Sequence, residues 1–156
     1  MKKTFLLLGL CRSSGCLSGQ QTGSFTSVGG ETFEKVLMDD KSYVVLDVRT
    51  YKEYTEGHIP GTDLNIDVLA SSFREEAVRQ IPEGKTVALY CRSGSRSKKA
   101  ASILAESGYQ VLELGSGFKG WNAAGKGSFI RSTFVHDAIE YEYFLYKPAS
   151  LPENAP

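Results

Sequence analysis

Cys91 stands in the run Tyr90-Cys91-Arg92-Ser93-Gly94-Ser95-Arg96-Ser97, where a nucleophile is followed by two arginines, three hydroxyls and a glycine. A thiol reacts as its thiolate, so what matters is whether its surroundings favour the anion. Small residues next to an N–H-rich helix start can do this. The unpaired amides of the first turn point at whatever precedes the helix, as they do at phosphates in glycine-rich loops. Arg92 and Arg96 add positive charge, so the expected Cys91 pKa lies well below the ~8.5 of a free thiol. Gly94 allows backbone conformations that a Cβ resists. Ser93, Ser95 and Ser97 could add donors or serve as turn and cap residues.

Flanking patterns supply the elements that such a site needs. Thr86-Val87-Ala88-Leu89-Tyr90 is a short apolar run of buried-strand type, and Ala100, Ala101, Ile103, Leu104 and Ser107 recur at helical spacing before Gly108 ends the pattern. Cys91 is therefore placed between a strand and a helix over Arg96 to Ser107. Elsewhere the sequence predicts helices over Glu31 to Met38, Tyr51 to Glu56 and Val68 to Gln80. Strands are predicted over Tyr43 to Val48, Leu64 to Ile66 and Val111 to Leu114. This alternation implies an α/β domain with a mostly parallel sheet and helices on both faces. The cysteine loop would lie at the carboxyl edge of the sheet, where such folds bind ligands.

The loop resembles the active-site loop of rhodanese-like sulfurtransferases, and four more segments match that family in order. Tyr43-Val44-Val45-Leu46-Asp47-Val48-Arg49 looks like its strand ending in Asp-x-Arg. Glu53-Tyr54-Thr55-Glu56-Gly57-His58-Ile59-Pro60-Gly61-Thr62-Asp63-Leu64-Asn65-Ile66 is similar to its Gly-His-Ile signature. Gly108 to Leu114 looks like its next strand, and Gly115-Ser116-Gly117-Phe118-Lys119-Gly120-Trp121 like its Gly-Gly-x-x-x-Trp ending. The resemblance covers about Ser27 to Lys126. It implies a rhodanese-like fold, no cofactor, and sulfur transfer through a Cys91 persulfide from a thiosulfate-like donor to a thiol or cyanide. Backbone and side chains of residues 92–97 would bind the substrate, with Arg92 and Arg96 drawing in an anionic donor. A protein acceptor is not specified by the sequence.

Two other functions compete. A cysteine phosphatase or arsenate reductase needs a larger cradle, with Cys-x-x-x-x-x-Arg usually preceded by His. Here Ser97 occupies the sixth position, Arg96 the fifth, and Tyr90 precedes the cysteine. A noncatalytic sulfur-binding or interaction module is the second, since fold alone does not fix activity. Asp47, Arg49 and His58 are read as supporting residues. Asp47 and Arg49 share a strand face, Arg49 is within reach of Glu53, and His58 fixes the loop entering the next strand. Phe118 and Trp121 are expected in the core, and Arg79, Lys98 and Lys99 at the surface.

Lysine plus arginine number 18 and aspartate plus glutamate 18 in the 156 residues, so there is no basic field for nucleic acid. Cys11, Cys16 and Cys91 form no CxxC pair and no zinc pattern with His58 and His136. Residues 1–18 join Met1-Lys2-Lys3 to the apolar Phe5 to Leu10, which reads as an export signal, with Cys16 behind small residues as a candidate lipid attachment point. The expectation is an exported, periplasmic or cell-envelope lipoprotein of bacterial type. Residues 19–28 read as a Ser/Gly/Gln-rich linker, 29–126 as the domain and 127–156 as an extension. In that extension Ile130, Phe134, Ala138 and Tyr141 suggest a helix, whereas Glu140 to Tyr146 alternate as a strand does.

Overall fold

The computed structural model describes residues 24–39 and 42–148. Residues 1–18, including Cys16, and the first half of the 19–28 linker lie outside them. The chain runs β1 (Thr26–Val28), α1 (Gly30–Leu37), β2 (Tyr43–Asp47), α2 (Tyr51–Glu56), β3 (Leu64–Asn65), α3 (Phe73–Gln80), β4 (Thr86–Tyr90), α4 (Ser95–Glu106), β5 (Val111–Leu114), α5 (Gly117–Ala123), β6 (Ser128–His136) and β7 (Ile139–Lys147). Strands β1 to β5 form one sheet in the order β1-β5-β4-β2-β3, with every pairing parallel.

The apolar runs of β2 and β4 are continuous because both faces of the central strands are covered. Period-two alternation sorts their side chains into two cores. Leu46, Val48, Val87, Leu89 and Cys91 pack with Phe73 and Ala77 of α3 and Ala100, Ala101 and Leu104 of α4. Val45, Ala88 and Tyr90 face the other way, against Phe33 and Val36 of α1 and Trp121 of α5. The paired alanines of α4 let that helix lie close to the strand from which Cys91 projects.

Two expectations change and one open alternative closes. The helix expected over Val68 to Gln80 begins only at Phe73. Asp67 turns the chain first, its Oδ1 accepting from Leu69 N at 2.9 Å, while Val68 N still donates to Val48 O at the sheet edge. The end of the expected linker is strand β1, a three-residue edge strand whose polar Thr26-Ser27 carries little periodic signal. Its pairing comes from β5, with Ser27 beside Glu113. In the extension the alternating pattern prevails: β6 and β7 form an antiparallel hairpin turned by Asp137 and Ala138 at φ 50° and 62°. Two successive positive-φ residues are the signature of a type I′ turn, whose twist suits the flanking strands.

Candidate active site

Strand β4 delivers Cys91 to the carboxyl edge of the sheet, and α4 begins four residues later at Ser95. Between them Gly94 adopts φ +97°, and a Cβ there would run into the carbonyl oxygen of Gly115. The start of α5 grips the loop from its other side, with Phe118 N donating to Cys91 O at 2.8 Å and Lys119 N to Arg92 O at 2.9 Å. Gly117 makes that approach possible. At φ +60° its Cβ would lie 2.7 Å from backbone atoms of Cys91 and Arg92. The Gly-Ser-Gly segment and the cysteine loop are thus two halves of one backbone clasp.

Inside the clasp Cys91 is only 1% exposed. Gly94 N donates to Sγ at 3.2 Å, and Ser97 Oγ lies 3.4 Å from Sγ. Burial pushes the thiol up. Hydrogen bonds from the Ser97 hydroxyl and from the backbone N–H groups of Ser93, Ser97 and Gly94 outweigh it, leaving the thiol below its ordinary value. This refines the expectation for the arginines, because oriented hydrogen bonds carry the shift.

Arg96 is held in a fork by Glu53, at 2.7 and 2.6 Å. The same Glu53 closes the capping box of α2 with Thr50. Arg96 is therefore a tie between α4 and α2, and its charge holds the Glu53 carboxyl down at about 2. The expected pairing of Arg49 with Glu53 is replaced. Arg49 turns inward, 3% exposed, with its Nε 2.9 Å and Nη2 2.5 Å from the Asp47 carboxylate, and Nη2 also donates to Gly57 O at 2.7 Å. Its guanidinium lies 4.4 Å from the Phe118 ring centre, a cation–π contact that Lys could not make with the same planar fork. Burial opposes the Arg49 charge, but Asp47 more than restores it.

His58 behaves as expected of a loop residue. Its ring is buried and stacked 4.0 Å from Tyr54, Nδ1 contacts Tyr54 O at 3.1 Å, and burial lowers its pKa. Its backbone exchanges two 2.9 Å hydrogen bonds with Phe129 of β6. Ser93, Ser95 and Arg92 are exposed on the loop's outer side, whereas Ser97 is buried with Cys91. Trp121 is in the core, with Nε1 donating to Gly127 O at 2.9 Å. Phe118 is not wholly core: with Arg49, Glu53, Glu56, Arg92, Lys119 and Asn122 it lines a cleft of ≈ 360 Å³ beside the loop.

Two residues escaped the sequence reading. Lys119 adds a third cation to the cleft, beside Arg49 and Arg92. Glu113 sits fully buried under the loop, accepting from Ser97 Oγ at 2.6 Å and from Ser27 Oγ at 2.7 Å. A carboxylate inside the otherwise apolar Val111-Leu112-Glu113-Leu114 was the available signal.

A thiol held by loop amides at a parallel-sheet edge, clasped by a Gly-x-Gly turn, defines a small cysteine-centred α/β module, and the comparisons identify the class. The chain belongs to the rhodanese-like domain family, whose model matches residues 33–124. It is 33% identical over 89 residues to the thiosulfate sulfurtransferase GlpE of Pseudoalteromonas translucida, covering 56% of this chain and 81% of that protein. It is 27% identical over 117 residues to YrkF of Bacillus subtilis, a protein carrying the name of a sulfur carrier; the match covers 74% of this chain and spans 61% of YrkF. A crystal structure of a rhodanese-related protein from Thermoplasma volcanium is similar in fold, with a TM-score of 0.56 and 27% identity, covering 67% of this chain and 97% of that one.

Proposed function

We infer that this chain is a sulfurtransferase in which Cys91 carries sulfane sulfur as a persulfide. In the first half-reaction the Cys91 thiolate attacks the outer sulfur of a thiosulfate-like donor. The donor S–S bond breaks and its electron pair leaves with sulfite. In the second, an acceptor thiolate or cyanide attacks the outer persulfide sulfur, and the electron pair of that S–S bond returns to Sγ. The two half-reactions share one covalent intermediate, so ping-pong kinetics is the expected form.

The observation that carries this reading is the placement of Sγ among the amides of residues 93–97, with Gly94 N at 3.2 Å. Such donors stabilise a sulfur anion wherever the negative charge rests during the cycle. Arg92 and Lys119 at the cleft suit an anionic donor, while Arg96 contributes by fixing the loop to α2. A phosphatase is disfavoured because the sixth residue after the cysteine is Ser97, turned inward to Glu113. Relatives named thiosulfate sulfurtransferases support the choice of donor.

Thiosulfate treatment should add one sulfur atom to the intact mass, removable by cyanide, and Cys91→Ser should abolish both the adduct and thiosulfate:cyanide transfer. Transfer that survives in Cys91→Ser would overturn the assignment. No adduct on the wild-type chain would favour the binding module, and p-nitrophenyl phosphate turnover at a comparable rate would favour the phosphatase.

Export is proposed on the same footing, from Lys2, Lys3 and the apolar run through Leu10, with Cys16 as lipid acceptor. Host fractionation tests it: a chain beginning at Cys16 in the detergent phase is expected. Uncleaved cytosolic protein would refute export, and soluble cleaved protein would refute only the anchor.

A further inference from the structure

The cleft beside the sulfur loop is larger than a thiosulfate-like donor requires. It encloses ≈ 360 Å³. Even at about 30 Å³ per atom, the share of a water molecule in the liquid, a five-atom dianion such as thiosulfate fills less than half of it. The volume is that of a site for a small organic molecule, at the lower end of the usual range. Phe118 gives the cleft an apolar surface, and its ring is fixed by the buried Arg49 guanidinium 4.4 Å from its centre. The cleft therefore has room and an apolar wall for a ligand body that the donor does not possess.

Pairing divides the polar groups around this cleft into two sets. Arg49 is committed to Asp47 and to Gly57 O, Glu53 holds Arg96 in a fork, and Glu56 pairs with Lys52 along α2 at 4.0 Å. The second set is Arg92, Lys119 and Asn122, all exposed, whose side chains make no ion pair or hydrogen bond among the described residues. Two cations and an amide are thus left for a ligand. Their positions differ in a way that matters. Arg92 belongs to the loop and directly follows Cys91, whereas Lys119 and Asn122 are three apart on α5 and share one helix face, with Cβ atoms about 5–6 Å apart. The helix starts against the loop, with Lys119 N donating to Arg92 O at 2.9 Å, so Asn122 stands nearly one turn further along the cleft wall.

We propose that the sulfur acceptor is a small thiol bearing a carboxylate, which Lys119 and Asn122 bind while the thiolate reaches the Cys91 persulfide at the loop end of the cleft. A carboxylate presents only acceptor oxygens, and the Lys119 ammonium and the Asn122 NH₂ both donate. Thiosulfate carries its charge within two bonds of the transferred sulfur, so Arg92 and Lys119 at the near end suffice for it. Lys119 and Asn122 together are reached only by a molecule that places a spacer between sulfur and anion, and Phe118 offers the methylene groups of that spacer an apolar surface. The acceptor thiolate attacks the outer persulfide sulfur, the electron pair of the S–S bond returns to Sγ, and the acceptor leaves as its own persulfide. Atoms and charge balance with no further reactant. Because the half-reactions are separate, Lys119 serves the donor first and the acceptor after sulfite has left. The chemistry rests on the sulfurtransferase reading; the carboxylate subsite does not.

Two measurements on the full chain test it. In the first, the chain is loaded with sulfur from thiosulfate and freed of donor. The added mass is then followed as it is lost to 3-mercaptopropionate or to 2-mercaptoethanol, each rate expressed per thiolate. The quantity read is the ratio of the two rates, in which a general loss of positive field or of loop geometry cancels. Lys119→Gln should lower that ratio about tenfold, the size of one lost charge-assisted hydrogen bond. Lys119→Arg should retain most of it, Asn122→Asp should lower it by placing a like charge beside the carboxylate, and added salt should reduce it in the wild type. A ratio unchanged in both Lys119→Gln and Asn122→Asp would overturn the subsite. The second measurement needs no transfer: the unloaded chain is titrated with the unreactive thioether 3-(methylthio)propanoate and with its neutral counterpart 2-(methylthio)ethanol, and amide NMR shifts are followed. Shifts at residues 118–122 with the carboxylate probe, much weaker with the neutral one and lost in Lys119→Gln, are expected. Equal shifts with both probes, or none on α5, would overturn the proposal. A chain that shows these shifts but takes no sulfur from thiosulfate would keep the subsite and lose the transfer reading.

Discussion

The sulfur loop and the C-terminal hairpin are both single excursions from the sheet, yet they are fixed in opposite ways. Every residue of the loop that touches Cys91 is held from more than one side: by α4 below, by the α5 start across the Gly117 contact, and by the Glu53–Arg96 fork from α2. The hairpin is held at its base alone. Phe129 and Phe144 close on the His58 ring, at 5.9 and 4.9 Å, and Arg131 lies over Tyr51. Further out Phe134, Val135, Ile139, Tyr141 and Tyr143 are exposed. The difference is physical: the loop gains from burial, from backbone hydrogen bonds to α4 and α5 and from a side-chain fork to α2, whereas the outer hairpin bonds mainly to itself. Changes in the first region should therefore act on structure and sulfur together, and changes in the second should fade with distance from α2.

The largest effect is expected from Gly117→Ala. It places a Cβ 2.7 Å from the Cys91 and Arg92 backbone at a left-handed φ of +60°. Strain of that kind and local overpacking together cost about 2–4 kcal/mol. Urea unfolding should report the loss, and iodoacetamide alkylation of Cys91 should show a changed rate as the amides move off Sγ. A variant with wild-type stability and wild-type alkylation would mean that the clasp does not position the loop.

Next comes the tie between helices. Glu53 has its carboxyl lowered from 4.5 to about 2 by Arg96, so the tie stabilises the fold fully above pH 4.5 and its contribution disappears as pH falls toward 2. Taken whole, that lowering corresponds to roughly 3–4 kcal/mol, and solvent screening of the partly exposed fork leaves about 1–2 kcal/mol of it. In Glu53→Gln the stability should be lower near neutrality and should fall less steeply over this acid window. Parallel stability–pH curves for the two proteins would show that the fork contributes nothing.

The same contrast explains what the sequence made readable. β4, the loop and α4 were legible because their signals are local: an apolar run, a cysteine, small residues and a helical repeat lie next to each other in the chain. The helix edges at Ser95 and Glu106 follow within one residue. Partnerships were not legible where two remote segments decide them. Arg49 has Asp47 and Glu53 both within a few residues, and only the inward turn of the strand end selects Asp47, leaving Glu53 for Arg96, 43 residues away. Ser27 and Glu113 are 86 residues apart, joined by the pairing of an edge strand too short and polar to be recognised. In the extension two periodicities overlapped, and the turn at Asp137 and Ala138 decided for strands, though neither residue is the glycine that such turns favour.

A smaller effect is expected at the hairpin base. Phe144→Ala removes a ring packed edge-on against His58 at 4.9 Å and against Tyr54 at 6.0 Å. Aromatic pairs of this geometry contribute about 0.5–1.5 kcal/mol, so a loss near 1 kcal/mol is expected. Because Tyr54 lies next to Glu53 on α2, amide exchange should quicken in α2 as well as in the hairpin. Protection unchanged in α2 would show that the hairpin and the active-site tie are independent.

The smallest effect belongs to the tip, where it tests the contrast most directly. Phe134 is 52% exposed and stacks on Tyr141, its cross-strand partner, at 5.0 Å. Cross-strand pairs are worth roughly 0.2–1 kcal/mol, but a tip that opens locally spends little of that on global unfolding. Phe134→Ala should therefore change the urea midpoint by less than about 0.5 kcal/mol equivalent while raising amide exchange from Thr133 to Glu142. Cys91 alkylation should be unaltered, since nothing at the tip touches the loop. A loss well above that size would mean that the face carrying Phe134, Tyr141 and Tyr143 is covered in solution. Sedimentation of the wild-type chain at two concentrations would then reveal whether another copy covers it, and the division between a supported loop and a self-supported hairpin would have to be redrawn.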